Sequence, residues 1–247
     1  MRTHSPSGIA NSYADPAFAA RYASAIDAAP YNALYERPAT LQLLPVMTGL
    51  HILDAGCGAG WYAEQLLLGG AHVTAIDSSA ALVEHTRRRL GAYLRGDEPG
   101  LQVHQADLAE PLAFIADHVL DGVVSPLVLH YLRDWRPTLR EMRRILRPGG
   151  WLVLSTHHPG TEAAHVETTQ YFATEAVEDE WKWLGTVQFF RRSLTEVASS
   201  LTDEGFLIDR LVEPIPTDAF REVKPEAYER LLTHPEFLIL RAVSRAV

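Results

Sequence analysis

The residues best suited to chemistry gather in one short stretch, HILDAGCGAG, from His51 to Gly60. An apolar run ends in Asp54, and Gly56, Gly58 and Gly60 follow within one tight turn before a helical pattern opens at Trp61. Residues without Cβ take positive φ and leave the backbone open to close approach, so this turn can hold a small polar ligand. Its spacing is D-x-G-x-G-x-G, and Trp61 stands where a dinucleotide fingerprint needs its third glycine. A pyrophosphate gains nothing from a carboxylate just before the first glycine, whereas a ligand carrying an ammonium or sulfonium does. A plain strand-to-helix turn with no ligand is the competing explanation.

Two further acids, Asp77 and Asp107, close the short apolar runs His72–Ile76 and Leu101–Gln105. An ionised carboxylate accepts two hydroxyl hydrogen bonds, the task of the acid after the second strand in mononucleotide-binding halves. Each acid alone could be a helix N-cap. Together, Asp54, Asp77 and Asp107 fit one nucleoside-like ligand lying across the carboxyl ends of a parallel sheet. Thr156-His157-His158-Pro159 stands at the end of a later strand, Trp151–Ser155, on the same ligand-binding face. His157 or His158 is the natural base if an acceptor must lose a proton, with His130 second; either member of the pair could instead shape the pocket by hydrogen bonding. Cys57 has no basic neighbour in sequence and reads as a packing residue of the loop. His157, His158 and His165 lack a regular ligand spacing, so no metal is expected.

The elements that must position these residues follow from periodicity and punctuation. Asp15-Pro16 opens a helix to about Ala28, Asn32 caps a second short one, and Pro38 restarts helix towards Leu44. Tyr13, Tyr22, Tyr31 and Tyr35 fall in this opening segment, which either packs on the sheet or covers the glycine turn. Helices are predicted over Trp61–Leu68, Ser78–Leu90 and Phe114–His118, and after Asp134, where Trp135, Leu139, Met142 and Leu146 recur at helical spacing. Leu120–Ser125 is a fourth strand. Gly160–Arg192 lacks clean periodicity, is rich in aromatics, and reads as a long functional loop region. Ser193-x-x-Glu196 is a capping box for a helix that Gly205 closes. Phe206–Glu213 and Phe237–Val243 read as two paired strands, one of them antiparallel at the sheet edge, with a short helix over Glu226–Leu232 between.

Composition narrows the partners. The chain has 247 residues, 47% of them hydrophobic, enough for one large α/β domain. A net charge of −9 opposes nucleic-acid binding, and the runs Arg87–Arg89 and Arg143–Arg144 fall on solvated helix faces. A lone cysteine fits a reducing compartment, and no stretch has the length of a membrane span or the apolar centre of a signal peptide. The expectation is a cytoplasmic protein, monomer or homodimer, with a small-molecule substrate, no nucleic acid and no membrane.

With Asp54, the glycine turn, Asp77, Asp107-Leu108 and Arg147-Pro148-Gly149-Gly150 in this order, the chain resembles the class I S-adenosylmethionine-dependent methyltransferases, most of all their bacterial small-molecule, type 11-like branch. The resemblance implies an α/β fold, a Rossmann-like doubly wound seven-stranded sheet, mostly parallel with the last strand antiparallel. It divides one domain into an N-terminal helical lid (1–44), a cofactor-binding core (45–156), an aromatic substrate insertion (157–192) and a C-terminal helix with edge strands (193–247). The methionine end of S-adenosylmethionine would lie on Gly56, Cys57 and Gly58 near Asp54, its ribose on Asp77, and its adenine between Ser78 and Ala106-Asp107-Leu108. Ser125 would line the methionine side, and Tyr22 or Tyr31 would close the lid. From the residues themselves, His157, His158 and Tyr22 are the candidate catalytic residues, and His130, Tyr171 and Trp181 the candidate substrate contacts. The implied reaction is methyl transfer to a small molecule, such as an aromatic or indole-type natural product, leaving S-adenosylhomocysteine. A non-catalytic cofactor-binding module and an NAD-dependent oxidoreductase are the alternatives.

Overall fold

In chain order the elements are α1 (Pro16–Ala25), a π-helical turn (Asn32–Glu36) running into α2 (Arg37–Gln42), β1 (His51–Ala55), α3 (Trp61–Leu68), β2 (His72–Asp77), α4 (Ala80–Arg89), β3 (Leu101–Gln105), β4 (Leu120–Pro126), α5 (Arg136–Ile145), β5 (Leu146–His157), α6 (Pro159–His165), β6 (Glu175–Trp181), β7 (Gly185–Arg191), α7 (Leu194–Asp203), β8 (Phe206–Val212), α8 (Asp218–Val223), α9 (Pro225–Leu231) and β9 (Phe237–Ser244). The structure, a computed structural model, describes residues 11–95, 100–166, 168 and 170–245. The polar opening before Asn11 and the Asp97-Glu98-Pro99 loop lie outside the described residues.

Seven strands form one sheet in the order β3-β2-β1-β4-β5-β9-β8. The first five are mutually parallel, and β9 runs antiparallel to both neighbours. Ile52 and Leu53 are both fully buried and belong to cores on opposite faces, which is why β1 reads as a continuous apolar run. One core packs Leu53, Val123 and Leu152 against Trp135, just ahead of α5, and Leu139 and Met142 of α5; the other packs Ile52, Val73 and Val124 against Leu66 and Val83 of α3 and α4. Strand order reverses between β1 and β4, so the carboxyl ends of β1, β2 and β4 frame a crevice.

Four expectations need correction. The antiparallel strand is not at the edge: β9, buried along most of its length, fills the gap beside β5, while β8, with exposed Asp209 and Arg210, takes the edge. Phe114–His118 forms turns rather than a helix. Its neighbourhood is satisfied by Arg144, which donates to the carbonyls of Leu112 and Ile115, and His118 has φ 55°. Gly160–Arg192 is not a loop region but α6 followed by the β6–β7 hairpin, paired from Glu175↔Arg191 to Trp181↔Gly185. Fully buried Arg191 gathers its approach, donating to the carbonyls of Tyr171, Gln170 and Ala173. Finally, α8 precedes the expected short helix, now α9.

The opening segment shows how one residue type redirects a chain. Pro38 has no N–H to give the carbonyl of Leu34, its partner four residues back in an α-helix. The backbone widens instead, with Arg37 N–H bonded to the carbonyl of Asn32. The freed Leu34 carbonyl accepts from the backbone N–H and the hydroxyl of Thr217, at 3.1 and 2.8 Å. Thr217 also caps α8 by accepting from Phe220 N–H, so the first and last parts of the chain share one residue. Thr217→Ala is expected to lower stability by about 1–2 kcal/mol, a lost cap plus a lost carbonyl partner, with Thr217→Ser retaining most of it. Urea unfolding decides this, and equal values for the two variants would contradict it.

Candidate active site

The floor of the crevice is the turn after β1. Gly56, Gly58 and Gly60 have φ of 89°, 53° and 85°, the left-handed region that favours glycine. The N–H groups of Gly56 and Cys57 donate to the carbonyl of Ile76 at 2.9 and 2.8 Å, and Gly58 N–H donates to Asp77 Oδ2 at 2.9 Å. The turn is therefore fastened to the end of β2. A Cβ at Gly56 would come within 2.4 Å of Val128 Cγ2, so glycine is required there twice over. Asp54 lies fully buried at the end of β1, and neither of its carboxylate oxygens has a hydrogen-bond partner among the described residues. Burial pushes its carboxyl up to about 7; the Ala63 N–H, beyond bonding geometry, offsets part of this and Asp77 adds to it. Burial likewise pushes the Cys57 thiol up, which leaves it a packing residue.

Asp77 stands on the wall of the cavity above this turn. Its second oxygen accepts from Ser79 N–H at 2.8 Å, and burial raises its pKa despite the two backbone donors. Ser78 accepts from Asn11, and the Ser79 hydroxyl donates to the carbonyl of Tyr13 at 2.6 Å, which seats the start of the chain over β2. Tyr13 meets Tyr22 edge-on at 5.1 Å, and its hydroxyl lies 3.0 Å from that of Tyr131. All three rings line the cavity, and burial pushes all three phenols up, Tyr131 to about 12. Val187 of β7 closes this side, and Glu36, Arg37, Trp61 and Tyr62 close another. Arg37 stacks on Trp61 at 4.2 Å and donates to the carbonyl of Asp27.

The cavity brings together Tyr22, Gly56, Cys57, Gly58, Asp77, Ser78, Ala106, Asp107 and Leu108 of the residues singled out from sequence. Asp54 sits below it. Ser125 is buried with its hydroxyl on the carbonyl of Ala55, and Pro126, Leu127 and Val128 line the cavity in its place. Tyr31 faces away, edge-on to Phe220, with its hydroxyl accepting from Arg230. The histidines form a separate group. His130 and His157 stack at 4.3 Å against Phe189; His157 Nδ1 lies 3.0 Å from Glu162, while His158 caps α6 and reaches Glu213 at 2.8 Å. His130 is 2% exposed with neither ring nitrogen bonded, and burial, His157 and Arg192 hold its pKa well below the ordinary value. Tyr171 accepts from Leu194 N–H, and Trp181 stacks on Trp183, which in turn stacks on Tyr22. These six, Tyr31, His130, His157, His158, Tyr171 and Trp181, are outside the cavity wall because each is held by a neighbour elsewhere. Sequence reasoning passed over Glu36, Arg37, Tyr62, Val128 and Tyr131; a Glu-Arg pair in a helical segment carries no sign of burial, and Val128 and Tyr131 sit in one apolar run, Leu127–Tyr131, that gives no hint of which side chains face a ligand.

Residues 53–154 match the methyltransferase domain family. The chain is 37% identical over 114 residues to a malonyl-[acyl-carrier protein] O-methyltransferase of Erwinia pyrifoliae, a match covering 45% of this chain and 39% of that protein. It is 35% identical over 130 residues to a ubiquinone biosynthesis O-methyltransferase of Xanthomonas oryzae, covering 51% and 52%. The chain thus spans about half or less of the curated relatives it matches. A crystal structure of an S-adenosylmethionine dependent methyltransferase from Mesorhizobium loti is similar with a TM-score of 0.67 at 25% identity, covering 88% of this chain and 99% of that one.

Buried Asp54 sets a pH dependence. Its folded carboxyl binds a proton more tightly than the unfolded one, whose pKa is about 4, so its contribution to stability is full below about pH 4 and lost as pH rises through about 7. Ligand-free protein is expected to lose on the order of 1 kcal/mol per pH unit across this window, and Asp54→Asn to flatten the slope. Parallel slopes for the two proteins in urea unfolding from pH 5 to 8 would refute this.

Proposed function

We infer from the match of residues 53–154 to the methyltransferase domain family that the chain is a class I S-adenosylmethionine-dependent methyltransferase and transfers a methyl group to a small acceptor. S-adenosylmethionine is the cofactor. The observation that carries this reading is the convergence of the glycine turn, Asp77 and Asp107 on one tyrosine-walled cavity, above a buried Asp54 with no partner. An orphaned carboxyl under the turn fits a ligand that brings a cation, and Asp77 fits a diol.

On this reading Gly56–Gly58 hold the amino-acid end of the cofactor, with Arg37 available to its carboxylate. Asp77 holds the ribose, and Ser78 with Ala106–Leu108 hold the adenine. When bound, the cofactor supplies a methyl group on a sulfonium, an electrophile with a built-in leaving group that departs as S-adenosylhomocysteine. The chain's own work is positioning and exclusion of water, which in general supplies roughly 7–11 kcal/mol. The faces of Tyr13, Tyr22 and Tyr131 suit a positive charge, at about 0.5–2 kcal/mol each. Their raised phenols make them walls rather than proton acceptors. The stacked His130–His157 pair supports the Tyr131 ring from behind, and His158 fixes α6.

The acceptor is a small, largely apolar molecule, aromatic and indole-type compounds included, lying against Val128, Tyr131, Leu132 and Val187. Arg37 is the only Lys or Arg among the described residues lining the cavity, so an anionic acceptor would find no second cation there. The names of the two curated relatives support oxygen as the methylated atom.

Calorimetric titration with S-adenosylmethionine, S-adenosylhomocysteine and NAD tests the cofactor assignment: the first two should bind and NAD should not. Asp77→Ala should weaken S-adenosylmethionine by about 1.5–3 kcal/mol, tenfold or more. An affinity equal to that of the wild type would remove Asp77 from the ribose. Tyr22→Phe should bind S-adenosylmethionine as the wild type does, and Tyr22→Ala more weakly by about 0.5–2 kcal/mol, since the ring face rather than the hydroxyl is used. A loss with Tyr22→Phe as large as with Tyr22→Ala would show the hydroxyl to be the contact.

A further inference from the structure

We propose that Glu36 is a positioning residue through which docking of the N-terminal lid sets the shape of the turn after β4, and with it the cofactor cavity. The proposal rests on the cavity being the cofactor site, but its structural core is independent of ligand identity.

Glu36 belongs to the π-helical turn of the lid and is 1% exposed, on the cavity wall. Its carboxylate is surrounded by hydroxyls. Ser155 donates to Oε1 at 2.6 Å, Thr40 to Oε1 at 2.7 Å, and Tyr62 to both oxygens at 3.0 and 2.8 Å. Three donors from three elements, α2, α3 and β5, are served by one acceptor group. A buried carboxylate left with fewer partners would be costly, so the arrangement holds only when the lid is seated.

From Ser155 the contacts run on into the site. Its Oγ accepts from Leu127 N–H at 3.0 Å, and its carbonyl accepts from the same N–H at 3.0 Å. Leu127 has φ 55°, a left-handed conformation that a branched residue adopts only where its surroundings enforce it. Leu127 in that conformation leads directly into Val128, which fills the space where a Cβ on Gly56 would lie. On the other side Tyr62 stands in the first turn of α3, next to Trp61, directly after the glycine turn. Glu36 therefore touches both supports of the glycine turn: the residue that packs on Gly56, through Ser155 and Leu127, and the helix that follows Gly60, through Tyr62.

The test is hydrogen exchange on ligand-free protein together with calorimetric titration of S-adenosylhomocysteine, for wild type, Glu36→Gln, Ser155→Ala and the double variant. Glu36→Gln keeps the size of the side chain but places an amide donor among hydroxyl donors. It should speed exchange in residues 126–132 as well as in residues 32–42 and weaken S-adenosylhomocysteine tenfold or more. Ser155→Ala should speed exchange in 126–132, and the double variant should bind no more weakly than Glu36→Gln alone, because both changes cut one line of contacts. Faster exchange in 32–42 with 126–132 unchanged would overturn the proposal, as would additive losses of affinity. Should Glu36→Gln fail to fold, Ser155→Ala decides: unchanged exchange in 126–132 overturns the coupling. If the wild type binds no S-adenosylhomocysteine, the cofactor reading fails while the exchange data still judge the coupling.

Discussion

The contact between Gly56 and Val128 governs the geometry of the site. The chain leaves β1 through a residue with φ 89°, and the space beside its Cα is taken by a branched side chain from the turn after β4. Two crossovers of the sheet are thereby brought to contact distance at the point where strand order reverses. Fastening the turn to the carbonyl of Ile76 and to Asp77 adds β2 to the same junction. Three strand ends are thus fixed relative to one another by backbone conformation and packing, before any ligand enters.

Electrostatics follow from that rigidity. Asp54, Asp77 and Glu36 are all buried enough for their carboxyls to rise, and Arg37 is the cation beside Glu36 on the cavity wall. Each acid is treated differently. Glu36 is surrounded by hydroxyls, Asp77 is held by two backbone N–H groups, and Asp54 has no partner. Only the last lacks a hydrogen bond among the described residues, and it lies on the strand that leads into the glycine turn. A folded protein tolerates such a group where a ligand or a proton offsets the cost, so the deepest acid reports most directly on what the site receives.

The legible parts of the chain were those whose signals are local. The apolar run into Asp54, the glycines, the helix from Trp61 and the acids after β2 and β3 each depend on neighbours within a few residues, and they stand where their pattern places them. The β6–β7 hairpin was not legible because the inward face of β6 mixes Val177 and Trp181 with Glu175 and Asp179, and only its partner strand is well buried. The setting of the histidines was hidden for a different reason. His157 and His158 stand at the end of β5 as their pattern places them, but their stacking and carboxylate partners come from distant parts of the chain and leave no local signal. Glu36 and Arg37 were invisible because burial of a charged pair in a helical segment leaves no trace in periodicity.

The same logic explains why the ends of the chain matter to a site built in its middle. Pro38 widens the helix that carries Glu36, and the carbonyl it releases is bound by Thr217, ahead of α8. Tyr35 on that segment packs against Phe220 and Phe237, and the Tyr35 hydroxyl accepts from Glu236 N–H just before β9. β9 pairs along β5 as far as Thr156 and His157, and Ser155 of β5 returns to Glu36. The closed circuit runs from the opening segment through α8 and β9 to β5 and back to the opening segment. A segment that would gain little from its own short helices is thereby held by tertiary bonds at both ends, the condition under which a marginal helix becomes a fixed wall.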